Sequence, residues 1–380
     1  MSAETITMPE RSAAIGVGWL QGDRLCLMLL AAFTIAHRAI WFGDPVADFD
    51  EQLYSFIGWR MQFGELPFVD WWDRKPFGLF AIFGLIHALF GPSALAYQIV
   101  AAGFAFATAC LTFLLARRCV DRVSATFAGA IAAMLLSAYA SYSANSEVFF
   151  VPLMLGMAIL LVDTQHPRFT RRAMLAMLLG GLALQVKYTV LPQCAFFGAW
   201  ALWTEYRRER SLSSLAGLAT MFALLGLLPT IAIALFYAVA GHFEAFWFAN
   251  FASFFERAAA PQGRWAPSHA IGVAPLVVLT VGGIYAALRL KPPQPLATWL
   301  FLLGWSLSAL ASVLLPGTVY LYYYAALSAP AALVALPLLD RSGPLKIGPA
   351  LVLSGILLVL LSLPDRRIQS LEQREAARSL

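Results

Sequence analysis

The chain has 380 residues, of which 60% are hydrophobic and 12% charged, and it carries a formal net charge of +5. A soluble protein carries about twice that charged fraction, so water could not solvate a surface over so apolar an interior. The basic residues lie in short turns between apolar runs and not along one helix face, which excludes a nucleic-acid surface and reads as a topology signal.

The apolar runs approach the ~20 residues that cross ~30 Å of hydrocarbon as a helix. An all-α polytopic membrane protein is expected, with about eleven spans at 25–42, 94–116, 124–140, 148–162, 173–188, 191–204, 213–240, 270–288, 297–315, 322–339 and 347–363. Residues 1–23 lack the ordered basic, apolar and small-residue parts of a cleavable leader, so the first run is expected to remain as an anchor. Four cysteines, at 26, 110, 119 and 194, have neither metal-site nor disulfide spacing. With no internal repeat, residues 1–380 read as one membrane domain.

The run Phe77–Phe90 is apolar but only 14 residues long, a length that suits an interfacial or re-entrant helix. Leaving it on one side places the basic turns RRCVDR (117–122), HPRFTRR (166–172), EYRRER (205–210), RLK (289–291) and DRSGPLK (340–346) together, on the cytoplasmic side by the positive-inside rule. Counting it as a span would send Arg117, Arg118 and Arg122 across the membrane and invert every later turn. The C-terminal tail, 364–380, then falls outside despite four arginines offset by three acids. The outward segments are 43–76, within a first loop at 43–92, then 141–147, an aromatic loop at 241–270, and the 316–324 region.

Residues 43–75 hold seven acids, Asp44, Asp48, Asp50, Glu51, Glu65, Asp70 and Asp73, against Arg60, Arg74 and Lys75. Three of them, Asp48, Asp50 and Glu51, follow the first span directly, at the boundary where a lipid headgroup and a water-soluble acceptor meet. That placement suits a general base or a metal ligand; the alternative is a merely solvated loop. Residues 52–63 then have the apolar spacing of a short interfacial helix bracing the acids. At the outer end of the fifth span, Lys187 interrupts an apolar helix, where an ionisable residue is a functional candidate.

These residues are similar to the GT-C membrane glycosyltransferases that use polyprenyl-phosphate sugars, the branch containing lipid A aminoarabinose transferase, protein O-mannosyltransferases and rhizobial galacturonosyltransferases. The resemblance runs over roughly residues 20–190. It rests on DFDEQLY at 48–54, an interfacial helix, GELPFVDWWDRKPFG at 64–78, the LFG closing the run at 89–91, and Lys187 in LALQVKYTVLP. Phe77 replaces the second proline of the family's K-P-P pattern, and Phe68 stands where relatives often have tyrosine.

The resemblance implies a GT-C-like bundle that inverts a sugar as it moves from a polyprenyl-phosphate donor to a lipid, polysaccharide or protein acceptor, on the periplasmic face of a bacterial inner membrane. It implies Asp50 as general base, with Glu51 and Asp48 orienting the acceptor or holding a divalent cation such as Mg, Mn or Zn. It also implies Lys75 and Lys187 at the donor phosphate. Further phosphate contacts could come from Arg60, Arg74, Arg257 and Arg264, since a guanidinium engages two phosphate oxygens at once. Glu147 reads as an acceptor or metal contact, or as a loop acid. His242, Glu244 and His269 are weaker metal candidates, without compact spacing. Tyr320, Tyr322, Tyr323, Tyr324, Trp247 and Trp265 fit an interfacial aromatic belt or a sugar platform. Two readings compete with a transferase. A transporter or flippase of lipid-linked sugars would want ionisable groups at mid-membrane depth, and a non-catalytic subunit of a glycan-assembly complex would keep the loop as a docking surface.

Overall fold

The computed structural model describes residues 17–256, 267–290, 295–317 and 320–340. Among these residues the chain is helical, and its one β pairing is an isolated bridge between Pro67 and Trp71. The helices are α1 (Val17–Arg38), α2 (Phe49–Arg60), α3 (Phe77–Phe90), α4 (Ala94–Ala116), α5 (Arg122–Leu136), α6 (Ser146–Leu161), α7 (Phe169–Leu184), α8 (Leu191–Glu209), α9 (Leu212–Val239), α10 (Phe243–Trp247), α11 (Ser253–Phe255), α12 (Pro267–Arg289), α13 (Leu296–Leu314), α14 (Ser328–Val334) and α15 (Leu336–Leu339).

Among the described residues six helices are long and apolar enough to cross a membrane: Gly22–Trp41, Ala94–Ala116, Arg122–Ser141, Leu212–Val239, Gly272–Arg289 and Leu296–Leu314. The protein is therefore a multi-pass membrane protein, and the expected count of about eleven spans is not confirmed. Helices α6 and α7 have 16 residues each, ~24 Å at 1.5 Å per residue, short of the hydrocarbon thickness. The expected span at 322–339 breaks into a 3₁₀ turn (Leu321–Leu327), α14 and α15. The expected span 347–363 and the tail 364–380 lie outside the described residues.

Short helices suffice here because α6 is sheathed by protein. It packs on α4, α7 and α8, and most of its side chains are buried. Helices α1, α4 and α5 form one packed group; α7 joins α6 to α9, and α8 joins α13.

The basic turns at 117–122, 166–172 and 205–210 gather at one end of the bundle, while residues 291 and 341–346 of the other two lie outside the described residues. Asp23, buried at the start of α1, lies 3.5 Å from Arg117 and 3.6 Å from Arg122 across the α4–α5 turn. Arg208 at the end of α8 donates to the carbonyls of Thr164 (2.6 Å) and His166 (3.1 Å) in the α6–α7 turn. The first loop closes the opposite end, where α2 and α3 pack as a pair against α4.

Their contact is backbone to backbone, because a Cβ on Gly58 would sit 2.7 Å from both Gly84 N and Phe83 Cβ. Gly58→Ala should push α2 off α3 and destabilise the chain by ~1–3 kcal/mol, the cost of overpacking. Thermal unfolding in detergent would show this as a lowered midpoint; an unchanged midpoint would mean that the helices separate freely.

Candidate active site at the first loop

Asp48 sets the start of α2. Its extended backbone (φ −142°, ψ 134°) and side chain form the N-cap, Oδ1 accepting from the Asp50 N–H at 2.8 Å. The other oxygen accepts from Asn145 Nδ2 at 3.2 Å. Asp50 and Glu51 thereby occupy the first helical turn, where the helix dipole favours carboxylates.

One turn on, the buried Tyr54 returns beneath Asp50. Its hydroxyl donates to Asp50 Oδ2 at 3.2 Å and accepts from Lys75 Nζ at 2.5 Å, while that ammonium lies 3.8 Å from the same carboxylate oxygen and 4.9 Å from the Tyr54 ring centroid. Asp50 and Lys75 keep 34% and 22% of their side-chain surface exposed, so this hydrogen-bonded carboxylate and ammonium remain open to an incoming molecule.

Glu51 faces inward. It is fully buried, with Oε2 accepting from the Ala144 N–H at 2.7 Å and Oε1 from Gln98 Nε2 at 3.1 Å. Both its oxygens accept hydrogen bonds within the protein, away from the opening beside Asp50.

The ends of the two short helices complete the site. Glu147, in the first turn of α6, forms a buried ion pair with Lys187, just past α7. The ammonium also lies 4.8 and 4.6 Å from the ring centroids of Tyr322 and Tyr323. The start of α3 docks on the end of α7, where the Leu79 N–H donates to the Gln185 carbonyl at 3.0 Å and a Cβ on Gly78 would collide with Gln185. This docking brings the KPFG segment, and Lys75 with it, beside Lys187. The charges of Asp50 and Glu147 both act on Tyr322, as expected of groups that share one site.

Burial moves two of the acids. It pushes the Asp48 carboxyl up to about 6, with the neighbouring Asp50 charge adding to the effect, and the Glu51 carboxyl up to about 7.

Other expected contacts lie elsewhere. The Arg60 guanidinium is held by Glu65, which also accepts from Trp71 Nε1, and Arg74 lies 5.5 Å over the Trp72 ring. His242 and Glu244 are exposed at the start of α10. Arg257, Arg264, Trp265 and the His269 side chain lie outside the described residues. Tyr323 and Tyr324 are buried; Tyr320 stacks on Tyr322, and Tyr323 meets both edge-on, so that the tyrosines form a packed cluster over Lys187. Tyr54 and Asn145 were not anticipated as site residues. Their signals were present: tyrosine stands four residues after Asp50, and an asparagine precedes an apolar helix.

Among the described residues no three His, Cys, Asp or Glu side chains converge to hold an ion, and the acids of α2 are taken up by N–H, amide, phenol and ammonium donors. The positive charge at the site comes from Lys75 and Lys187.

A family model for dolichyl-phosphate-mannose-protein mannosyltransferases matches residues 74–233, a stretch that takes in Lys75, Glu147 and Lys187 but not 48–54. ArnT from Cupriavidus metallidurans bound to undecaprenyl phosphate superposes with a TM-score of 0.61 at 18% identity, over 91% of this chain and 64% of that one. The Archaeoglobus fulgidus oligosaccharyltransferase tethered with an acceptor peptide superposes with a TM-score of 0.50 at 13% identity, over 93% and 55%. This chain thus spans less than two thirds of the length of either structure. No curated protein sequence matches it. The fold is the GT-C fold that the sequence resembles.

Because burial raises the Asp48 and Glu51 carboxyls, the folded chain keeps their protons at pH values where the unfolded chain, with carboxyls near ~4, has released them. Stability should therefore fall as pH rises from about 4 to the Glu51 value of about 7, and level off above it. Glu51→Gln should flatten the upper part of that decline in unfolding midpoints measured from pH 4.5 to 8. A native slope in that variant would assign the decline to other groups.

Proposed function

We propose that this protein is a membrane glycosyltransferase that moves a sugar from a polyprenyl-phosphate donor to a hydroxyl or amine of a lipid, polysaccharide or protein acceptor. The observation that carries the reading is the linked Asp50–Tyr54–Lys75 group beside the Glu147–Lys187 pair, at the end of the bundle opposite the basic turns. By the positive-inside rule that end faces the periplasm of a bacterial inner membrane. The family match and the shared fold support the same reading.

In this reading the acceptor O–H or N–H lies against Asp50, which takes its proton as the acceptor atom bonds to the anomeric carbon. The bond from that carbon to the phosphate oxygen breaks, its electron pair leaves with the polyprenyl phosphate, and the single displacement inverts the anomeric centre. Lys75 and Lys187 stabilise the charge on the departing phosphate. Each ammonium is countered by a carboxylate, Asp50 or Glu147. A donor phosphate that takes over Lys75 frees Asp50 to act as base. Tyr54 holds the pair together, Asp48 and Asn145 orient the acceptor side, and Arg74 lies near enough in sequence to Lys75 to add a phosphate contact.

The test is lipid and glycan mass spectrometry of cells lacking the protein, re-expressing either the native chain or Asp50→Asn at matched membrane levels. The native chain should restore a missing sugar and Asp50→Asn should not, its rate lowered on the order of 10²–10⁴-fold as for loss of a general base. Equal restoration by Asp50→Asn would remove the base from Asp50 and favour a transporter or a non-catalytic subunit.

The orientation has its own check. Ser143 is only 1% exposed, so it offers no handle for a probe, whereas Glu244 is exposed. In a background with the native cysteines replaced, Glu244→Cys should react with an impermeant maleimide in intact cells. Labelling only after lysis would invert the topology.

A further inference from the structure

The segment between α5 and α6 carries Asn145 and Glu147 into the site, and its backbone is distorted. A wide turn at Ser137–Ser141 contains Tyr139 at φ −93°, ψ 48° and Ala140 at φ 56°, ψ 14°, a left-handed conformation that an alanine rarely adopts. Such geometry persists only where its surroundings impose it, and wide helical turns of this kind are frequent at functional sites.

Two opposite buried charges impose it here. Arg38, at the end of α1 and 1% exposed, donates to the carbonyls of Ser141 at 2.7 Å and Ser143 at 2.5 Å, and more weakly to Ser137 Oγ at 3.4 Å. From the other side Glu51 accepts from the Ala144 N–H at 2.7 Å. Tyr142 adds a hydrogen bond to the Ala47 carbonyl at 2.9 Å and stacks on Trp41. The next residues are Asn145, which donates to Asp48, and Glu147, which pairs with Lys187.

We propose that Arg38 and Glu51 are positioning residues that grip the backbone of 141–144 from its carbonyl and amide sides, holding the strained turn where Asn145 meets Asp48 and Glu147 meets Lys187. The proposal rests on the transferase reading. It gives Arg38 and Glu51 no contact with substrate: their effect passes through the turn to the acids and to the ammonium. A guanidinium suits the task because its planar fork reaches two carbonyls at once, and a buried carboxylate opposite balances its charge. Misplacing reacting groups by about 1 Å costs on the order of 10²-fold in rate.

The test follows the full chain in detergent by hydrogen-exchange mass spectrometry, together with undecaprenyl-phosphate binding and the restoration of sugar in cells. In Arg38→Met the peptide covering 139–147 should exchange faster while α4 and α9 keep their protection. Undecaprenyl-phosphate affinity should stay within about threefold, and sugar transfer should drop on the order of 10²-fold. Arg38→Lys, which keeps the charge but reaches only one carbonyl, should be intermediate in both exchange and transfer, and it serves as the test if Arg38→Met does not accumulate. Native exchange in either folded variant would overturn the proposal, and so would faster exchange with undiminished transfer. If the native chain itself restores no sugar, the transferase reading falls, and the exchange data alone still decide whether Arg38 holds the turn.

Discussion

An ion pair withdrawn from water near the edge of a membrane is costly unless each charge finds its partner with good geometry. Glu147 and Lys187 are such a pair, and much of the surrounding architecture satisfies them: Ser146 donates to the other Glu147 oxygen, and two tyrosine rings face the ammonium. The same demand recurs in Arg38, Glu51 and Asp48, each placed where backbone or side-chain partners are ready. Opposite charges are never far apart at this end of the bundle, and the fold holds them there with hydrogen bonds to backbone atoms that side-chain motion cannot easily release.

This arrangement depends on helices that stop early. A helix long enough to cross the whole bilayer would carry its terminal residues into the headgroups, whereas α6 and α7 end after 16 residues and α6 is sheathed by its neighbours. The turns beyond them can therefore be irregular, because the polar backbone they expose is met by Arg38, Glu51 and the first loop and not by lipid. The α2–α3 pair covers the same end, and its glycines, Gly58 of α2 against α3 and Gly78 of α3 against the end of α7, let it approach closely enough for residues from four parts of the chain to share one site.

Much of this was legible in the sequence. The helix Phe77–Phe90 has the bounds its composition suggests, and residues 52–63 fall within α2 and the 3₁₀ turn that extends it. Asp50 and Lys75 stand out in the acidic first loop and Lys187 at the end of an apolar helix, and the structure pairs Asp50 with Lys75 and Lys187 with Glu147. What the pattern could not convey was direction. Asp50 and Glu51 are adjacent acids, yet a helix turns ~100° per residue, so one faces the opening and the other the core. Nor does composition distinguish Arg38, at the end of an apolar run, from a snorkelling anchor; only the folded turn beside it shows a guanidinium aimed at two carbonyls. The number of spans is hard to read from composition for a related reason, since a helix buried by protein is as apolar as one buried by lipid but need not be as long.

The location of charge also separates surface chemistry from transport. A pathway through the membrane needs polar groups in series across its depth. Among the described residues, Arg38, Glu51, Glu147 and Lys187 stand at one end of the bundle, and Asp23 with its arginines at the other. Between them the buried polar side chains include Thr108 and Ser306, whose hydroxyls turn back onto the carbonyls of Phe104 and Leu302 on their own helices. Hydroxyls used in this way offer no binding site to a passing headgroup. Among the described residues the two charged ends are thus separated by an interior whose hydroxyls are spent on their own helices, the distribution of charge expected of chemistry at one membrane face.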